Sequence, residues 1–123
     1  MSQEDEAKSW IVAFWASWCP DCFFFEPVFA QLSVEFSNKQ REFGVVDLEL
    51  YPELAEQFAI DKSTSSSQLP TLILFHKGRE VRRLPAFKDD GKVKMTILDK
   101  KGVIAYFELD KEPSETSFAK KNA

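Results

Sequence analysis

Short apolar segments alternate along the chain with segments whose apolar residues recur every three or four positions. Three of the apolar segments are rich in β-branched and aromatic residues and lack the apolar–polar alternation of a half-exposed strand. This pattern is typical of strands that are buried on both faces. The predicted buried strands are residues 10–16, 43–48 and 71–75.

Apolar residues at helical spacing follow the first predicted strand. Pro20 stands where this helix would begin, and in the first turn of a helix proline costs no backbone hydrogen bond. Pro27 lies inside the same helix, where it should bend the axis. The apolar face of the predicted helix consists of Phe25, Val28, Phe29, Leu32 and Phe36.

The second half of the chain predicts a shorter helix, a hairpin and a last helix. Residues 51–58 carry a proline near the start of the short helix, and the serine-rich residues 61–68 form a loop. A turn after the third strand leads into an antiparallel strand at 80–84. Asp99 is a suitable N-cap for the last helix, which Gly102 weakens.

This order of elements predicts an α/β fold with a mixed central sheet and helices on both faces. Crossover helices join parallel strands, whereas a tight turn joins antiparallel ones. With 123 residues the chain has the length of one domain, since domains typically contain about 100–200 residues. We place the domain at residues 10–110, a leader or linker at 1–9 and a polar C-terminal tail at 111–123.

Charge and hydropathy argue against two classes of partner. Sixteen basic residues against 20 acidic ones give a net charge of −4, whereas domains that bind nucleic-acid phosphate normally carry a basic excess. The longest apolar run, residues 10–18, is far shorter than the about 20 residues of a membrane-spanning helix. The polar, acidic residues 3–6 also differ from the basic start of a secretory signal. We therefore expect a soluble domain that binds no nucleic acid.

Cys19 and Cys22 are the only cysteines and form a C-x-x-C pair. Two cysteines are too few for the multiple disulfides of a small secreted domain. The pair is therefore a redox dithiol, half of a metal site, or two inert buried thiols. A structural zinc site requires about four ligands, and the single histidine, His76, is distant in sequence. We expect no metal.

The neighbours of the two cysteines favour redox chemistry. Trp18 precedes the pair, and Pro20 and Asp21, which both suit the first turn of a helix, lie within it. The thiolate rather than the thiol attacks disulfides, and the unpaired N–H groups at a helix N-terminus stabilise a thiolate. Cys19, just before the first turn, is then the attacking thiol, and Cys22 within the turn resolves the mixed disulfide.

The residues around the pair resemble the active site of the thioredoxin superfamily. The similarity covers residues 14–22, which read FWASWCPDC, and Pro27 five residues later. It extends to Asp47 at the end of the second strand and to residues 69–71, which read Leu-Pro-Thr. The resemblance implies that the α/β fold is the thioredoxin fold.

The resemblance also implies a role for each residue of the motif. Cys19 is the nucleophile, Cys22 resolves, and Trp18 covers the site. Pro70 is expected to follow a cis peptide bond, to keep metal off the thiols and to present the backbone of Leu69 to an extended substrate segment. The Cys19–Cys22 dithiol carries the electrons itself, so no separate cofactor is expected.

A second similarity, over most of residues 10–109, is to the thioredoxin-related transmembrane protein 2 family. It rests on residues 62–65, residues 68–75 and the pair Arg82-Arg83. This similarity implies that the full-length protein is anchored in a membrane, which we expect to be that of the endoplasmic reticulum.

Lys120 and Lys121 stand fourth and third from the end of the chain. They resemble the di-lysine retrieval signal of membrane proteins of the endoplasmic reticulum, although a solvated basic tail explains the same two residues. As a signal, they would place the domain on the cytosolic side of the membrane. The cytosol is a reducing compartment, in which an exposed dithiol acts as a reductase.

The sequence departs from the thioredoxin pattern at two positions. Thioredoxins carry an acid in the first strand that accepts the proton of the resolving cysteine, and a lysine on the neighbouring strand; the matching residues here are Ala13 and Phe43. The membrane-anchored relatives generally keep the acid and carry Ser at the position of Cys19. We therefore expect a slower second step, with water or Asp21 taking the proton.

These observations predict a thiol–disulfide oxidoreductase that acts on protein or small-molecule disulfides and requires a recycling reductant or oxidant. One alternative is a scaffold or redox sensor at the endoplasmic reticulum membrane, with little turnover. Another is a glutathione-linked or iron–sulfur domain of the glutaredoxin type.

Overall fold

The strands and helices follow one another in the order that the sequence predicts, close to the predicted bounds. The structure is a computed structural model and describes residues 8–63, 66, 68–94 and 98–118. Its elements are β1 (Ser9–Trp15), α1 (Pro20–Phe36), β2 (Arg41–Asp47), α2 (Pro52–Gln57), β3 (Thr71–His76), β4 (Arg79–Leu84), α3 (Lys100–Phe107) and a 3₁₀ turn (Pro113–Glu115).

In the part of the chain that the structure describes, four strands form a mixed sheet in the order β2-β1-β3-β4. The strands β1 and β2 are parallel because α1 crosses over between them. The strand β3 is antiparallel to both β1 and β4. The prediction of a mixed sheet is therefore confirmed.

Both faces of the sheet are covered by helices, as predicted. Since successive strand residues point to opposite faces, Ile11 and Ala13 of β1 contribute to one apolar cluster and Phe14 to the other. The first cluster includes buried residues of α1 and α3, namely Phe25, Phe29, Leu32, Val103 and Phe107. The second includes residues of α2 and of the loops beside it, namely Leu48, Ala55, Ile60 and Leu69, together with both cysteines.

The last helix begins at the predicted cap. Asp99 is the N-cap of α3, and its Oδ1 accepts a hydrogen bond from the N–H of Gly102 over 2.7 Å. A Cβ atom at position 102 would lie 2.7 Å from the same oxygen. The glycine that weakens the helix pattern in the sequence therefore makes room for the cap.

Buried residues are also found after residue 110, where the sequence predicted the end of the domain. The guanidinium of Arg41 is buried and donates hydrogen bonds to the carbonyls of Leu109, over 3.0 Å, and Lys111, over 2.7 Å. Further along the chain Thr116 and Phe118 are also buried, Phe118 in the same apolar cluster as Val103 and Phe107. The predicted retrieval signal, at positions 120 and 121, lies outside the described residues. Within the described ranges, no helix is long and apolar enough to span a membrane.

Candidate functional site

Cys19 occupies the N-terminus of α1, where the sequence places it. It is the N-cap residue, with φ −90° and ψ 110°, and its Sγ accepts a hydrogen bond from the backbone N–H of Cys22 over 3.1 Å. Pro20 is the first residue of the helix, and Asp21 lies in the first turn. The helix terminus thus directs a backbone donor at the sulfur of Cys19.

The two thiols are free, and both are buried in the same apolar cluster. Cys19 is 6% exposed and Cys22 is 3% exposed. Burial, followed by the hydrogen bond with Cys19, raises the pKa of Cys22 to about 12. The negative charge of Asp21 also raises this pKa. Cys22 is therefore a neutral thiol at neutral pH.

The predicted proline turn lies against the thiols. The Leu69–Pro70 peptide bond is cis, which confirms the expectation from the resemblance. Leu69 is buried in the same cluster as Cys19 and Cys22. Trp18, in contrast, is 37% exposed. A second cis bond, Leu84–Pro85, was not predicted from the sequence.

Beside the thiols lies an open cavity of about 240 Å³. Its lining includes two carboxylates, Glu26 and Asp47, and no basic side chain from the described part of the chain. Sequence reasoning missed Glu26, although it follows Cys22 by four residues, a spacing that puts two residues on one helix face. The lining residues are Trp15, Ala16, Ser17, Cys19, Cys22, Phe23, Glu26 and Asp47.

Hydrogen bonds fix the loop before Cys19 to the end of the neighbouring strand. The N–H and the hydroxyl of Ser17 both donate to Oε1 of Glu49, over 3.0 and 2.5 Å. The N–H of Leu48 donates to the carbonyl of Trp15 over 2.9 Å. These contacts set the position of Cys19 relative to Asp47 across the cavity.

The two positions that depart from the thioredoxin pattern lie in the core, on neighbouring strands. Ala13 is completely buried, and the residue beside it on β2 is Val45. Phe43, the second position that departs from the pattern, lies two residues earlier on β2, where it pairs with Ile11 and packs against the cluster that contains Ala13. Both neighbouring positions on the sheet are apolar, so no titratable group lies there.

His76 lies far from the thiols. It ends β3, whereas the proline turn beside the thiols precedes the start of that strand. Its Nδ1 is hydrogen-bonded to the hydroxyl of Ser9 over 2.8 Å, and burial lowers its pKa. Among the residues that the structure describes, no three His, Cys, Asp or Glu side chains are grouped to hold a metal ion.

Comparison with known proteins identifies the family of the chain. The thioredoxin family matches residues 2–99. The chain is 37% identical over 79 residues to a thioredoxin of Chlamydia caviae, covering 64% of this chain and 70% of that protein. It therefore belongs to the thioredoxin family.

Greater coverage is found in relatives named thioredoxin-related transmembrane protein 2. The chain is 41% identical over 108 residues to that of Xenopus laevis, covering 88% of this chain and 38% of the relative. It is 38% identical over 106 residues to the Drosophila melanogaster homolog, covering 86% of this chain and 39% of the homolog. The chain thus spans less than half the length of these relatives.

A solved structure, named "Structure of a malarial protein", has the same fold. The two structures superpose with a TM-score of 0.61 at 22% identity. The match covers 82% of this chain and 94% of the other. The fold prediction is confirmed, as is the resemblance of the sequence to thioredoxin-related transmembrane protein 2.

Proposed function

We propose that this domain reduces disulfides, with Cys19 as the attacking thiol and Cys22 as the resolving thiol. The observation that carries the proposal is the hydrogen bond from the N–H of Cys22 to the sulfur of Cys19 at the start of α1. A donor in this position stabilises negative charge on the sulfur, which is the reactive form in thiol–disulfide exchange.

The reaction requires two exchanges at Cys19. The Cys19 thiolate attacks one sulfur of the substrate disulfide, and the other sulfur leaves as a thiolate that takes up a proton. Cys22 then loses its proton and attacks Cys19, so that the Cys19–Cys22 disulfide forms and the second substrate sulfur leaves as a thiolate. The substrate has gained two electrons, and an external dithiol reductant must restore the pair.

The substrate approaches over Trp18 and the proline turn in this proposal. Leu69 lies in the cluster that contains both thiols, and Trp18 is partly exposed next to Cys19. An extended segment on the backbone of Leu69 would hold its disulfide at Cys19. This is the mode of binding that the resemblance to thioredoxins implies.

Reduction of insulin by dithiothreitol tests the proposal. The wild-type domain should accelerate the reaction well above the uncatalysed rate, whereas Cys19→Ser should be inactive. Mixed with insulin in the absence of dithiothreitol, which would reduce the product, Cys22→Ser should attack once and remain joined to insulin as a mixed disulfide, which mass spectrometry detects. Equal rates for the wild type and Cys19→Ser would overturn the proposal.

A redox sensor with little turnover is the second candidate, and one observation favours it. The raised pKa of Cys22, with apolar Ala13 where thioredoxins carry an acid, slows the second exchange. Under this alternative, the wild-type domain accumulates as a mixed disulfide on Cys19 and accelerates insulin reduction little. Under the reductase proposal, the mixed disulfide accumulates only in Cys22→Ser.

We also propose that the full-length protein is anchored in the endoplasmic reticulum membrane. Support comes from the word transmembrane in the names of relatives that share 38% to 41% identity with this chain. The full-length protein should remain in the membrane pellet after alkaline extraction, together with markers of that organelle. Release into the supernatant would contradict the anchor.

A further inference from the structure

The second exchange has no proton acceptor in the buried place where thioredoxins carry one. Ala13 is fully buried, and Val45 beside it cannot accept a proton either. Cys22 has a pKa of about 12, so almost none of it is ionised at neutral pH. A group that removes the proton as the sulfur attacks would therefore accelerate this step.

Two carboxylates line the cavity that contains both thiols. Glu26 follows Cys22 by one helical turn on α1. Asp47, at the end of β2, also lines the cavity, and its Oδ1 accepts a hydrogen bond from the N–H of Glu49 over 2.8 Å. The cavity is open and large enough for water. The cavity therefore has room for water between the thiols and the carboxylates that line it.

We infer that Glu26 is the general base that accepts the proton of Cys22, through water in this cavity, when Cys22 attacks the mixed disulfide on Cys19. The inference rests on the proposed function. The S–S bond between Cys19 and Cys22 forms, the bond from Cys19 to the substrate sulfur breaks, and the departing thiolate takes up a proton from solvent. Glu26 returns its proton to water afterwards.

Glu26 fits this role better than the other nearby acids. It makes no side-chain hydrogen bond or ion pair with another residue that the structure describes, whereas Asp47 is already an acceptor for a backbone N–H. Asp21 does not line the cavity. Glu49, from the loop after β2, is held by Ser17.

Single-turnover oxidation by 4,4′-dithiodipyridine separates the two exchanges. This neutral disulfide releases one coloured thiopyridone when Cys19 attacks and a second when Cys22 resolves. At pH 7, Glu26→Gln should slow the second release by about tenfold or more and leave the first within about twofold. Glu56→Gln, which removes a charge from the exposed face of α2, is the matched control and should change neither rate.

The pH profile distinguishes a base from a residue that only supports the structure. In the wild type the base in the cavity, rather than hydroxide, removes the proton, so the rate of the second phase should depend little on pH between about pH 6 and 8. Without the base, the rate should follow hydroxide and rise about tenfold per pH unit. Glu26→Asp, which keeps a carboxylate in the cavity, should restore the plateau at least in part.

The outcomes separate this inference from the proposed function. A wild-type protein that releases only one thiopyridone lacks a resolving thiol, and the proposed function fails. Two releases in the wild type, with the same second rate and pH profile in Glu26→Gln, overturn the inference alone. The inference is also overturned if the pH-independent second rate is lost in Asp47→Asn but kept in Glu26→Gln. That result would assign the role of base to Asp47. If Glu26→Gln melts far below the wild type, Glu26→Ala provides the same two comparisons.

Discussion

The sulfur of Cys19 and the backbone N–H of Cys22 are 3.1 Å apart and form the hydrogen bond that joins the two halves of the C-x-x-C pair. Through this bond, the first turn of α1 presents a backbone donor to the first thiol, and both thiols lie in the same apolar cluster. The two cysteines nevertheless differ in their surroundings. A backbone N–H faces the sulfur of Cys19, while burial raises the pKa of Cys22.

The first prediction concerns the stability of the reduced protein at alkaline pH. The pKa of Cys22 is raised to about 12 in the folded state from an ordinary value of 9.0. A raised pKa means that the folded state holds the proton more tightly than the unfolded state does. The protonated Cys22 thiol therefore contributes to the free energy of unfolding, and this contribution is complete below pH 9. It declines by about 1.4 kcal/mol per pH unit as the pH rises toward 12.

Chemical denaturation of reduced wild type and Cys22→Ser between pH 8 and 11 measures this contribution. Other groups titrate in the same range, but they do so equally in both proteins, so the difference between the two isolates Cys22. Above about pH 9, the free energy of unfolding of the wild type should fall steadily relative to that of Cys22→Ser. A constant difference across the range would show that burial does not hold the proton on this thiol.

The second prediction concerns two neighbouring phenylalanines. Phe23 and Phe24 are 72% and 73% exposed, and their rings are 6.0 Å apart. Only Phe23 lines the cavity beside the thiols. Because exposed aromatic surface next to a reactive group binds apolar substrate segments, Phe23→Ala should raise KM for insulin severalfold.

Phe24→Ala is the matched control, since it removes the same side chain at the same exposure. It should change KM less than twofold, and neither variant should lower the melting temperature much. Equal effects of the two substitutions on KM would show that the cavity is not part of the substrate site.

The third prediction concerns the C-terminal segment. Glu108 accepts hydrogen bonds from the hydroxyl and the N–H of Ser117, and its carboxylate is also paired with Lys111 over 3.1 Å. The hydroxyl of Ser117 is the largest cause that lowers the pKa of Glu108 to about 2. A lowered pKa stabilises the fold above about pH 4.5, and this effect is lost as the pH falls toward 2.

Glu108→Gln should therefore lower the melting temperature by a few degrees at pH 7, and by much less near pH 2. Solvent screening limits the size of the effect. Glu115→Gln, with the same change of charge in the exposed 3₁₀ turn, is the control. A loss that is equal at both pH values would mean that the carboxylate charge does not hold this segment.

The fourth prediction concerns Arg41, which links the second strand to the chain after α3. Its buried guanidinium donates to two backbone carbonyls, so Arg41→Met leaves both acceptors without a partner. We expect a loss of about 2–4 kcal/mol in the free energy of unfolding, measured by chemical denaturation. Lys39→Met, at an exposed position nearby in sequence, should cost less than about 0.5 kcal/mol. If Arg41→Met lowered the free energy of unfolding as little as Lys39→Met, the role assigned to these hydrogen bonds would be wrong.

The sequence predicted the elements that local patterns determine. Apolar runs gave the strands, and the position of Pro20 gave the start of α1, because these signals depend on neighbouring residues only. Asp99 was predicted as a cap for the same reason. The cis bond before Pro70 came from family resemblance rather than from any local pattern.

The features that could not be predicted from the sequence depend on contacts between residues that are far apart in the chain. The register that places Val45 beside Ala13 follows from how two strands pair, and a shift of two residues leaves the apolar pattern unchanged. Most residues after 110 are polar, yet Phe118 is buried in the apolar cluster beside α3, a contact with residues distant in sequence. Glu26 belongs to the site because it lines the cavity beside the thiols, and the shape of that cavity depends on the folded structure.

The reduction potential of the Cys19–Cys22 pair tests the central claim most directly. A reductase requires a pair whose reduced form is not strongly stabilised. Here the N–H of Cys22 donates one hydrogen bond to the sulfur of Cys19, and burial raises the pKa of Cys22. We predict a two-electron equilibrium with dithiothreitol near the thioredoxin value of about −270 mV. A potential of about −180 mV or higher, or the absence of any transition that involves both cysteines, would contradict the account.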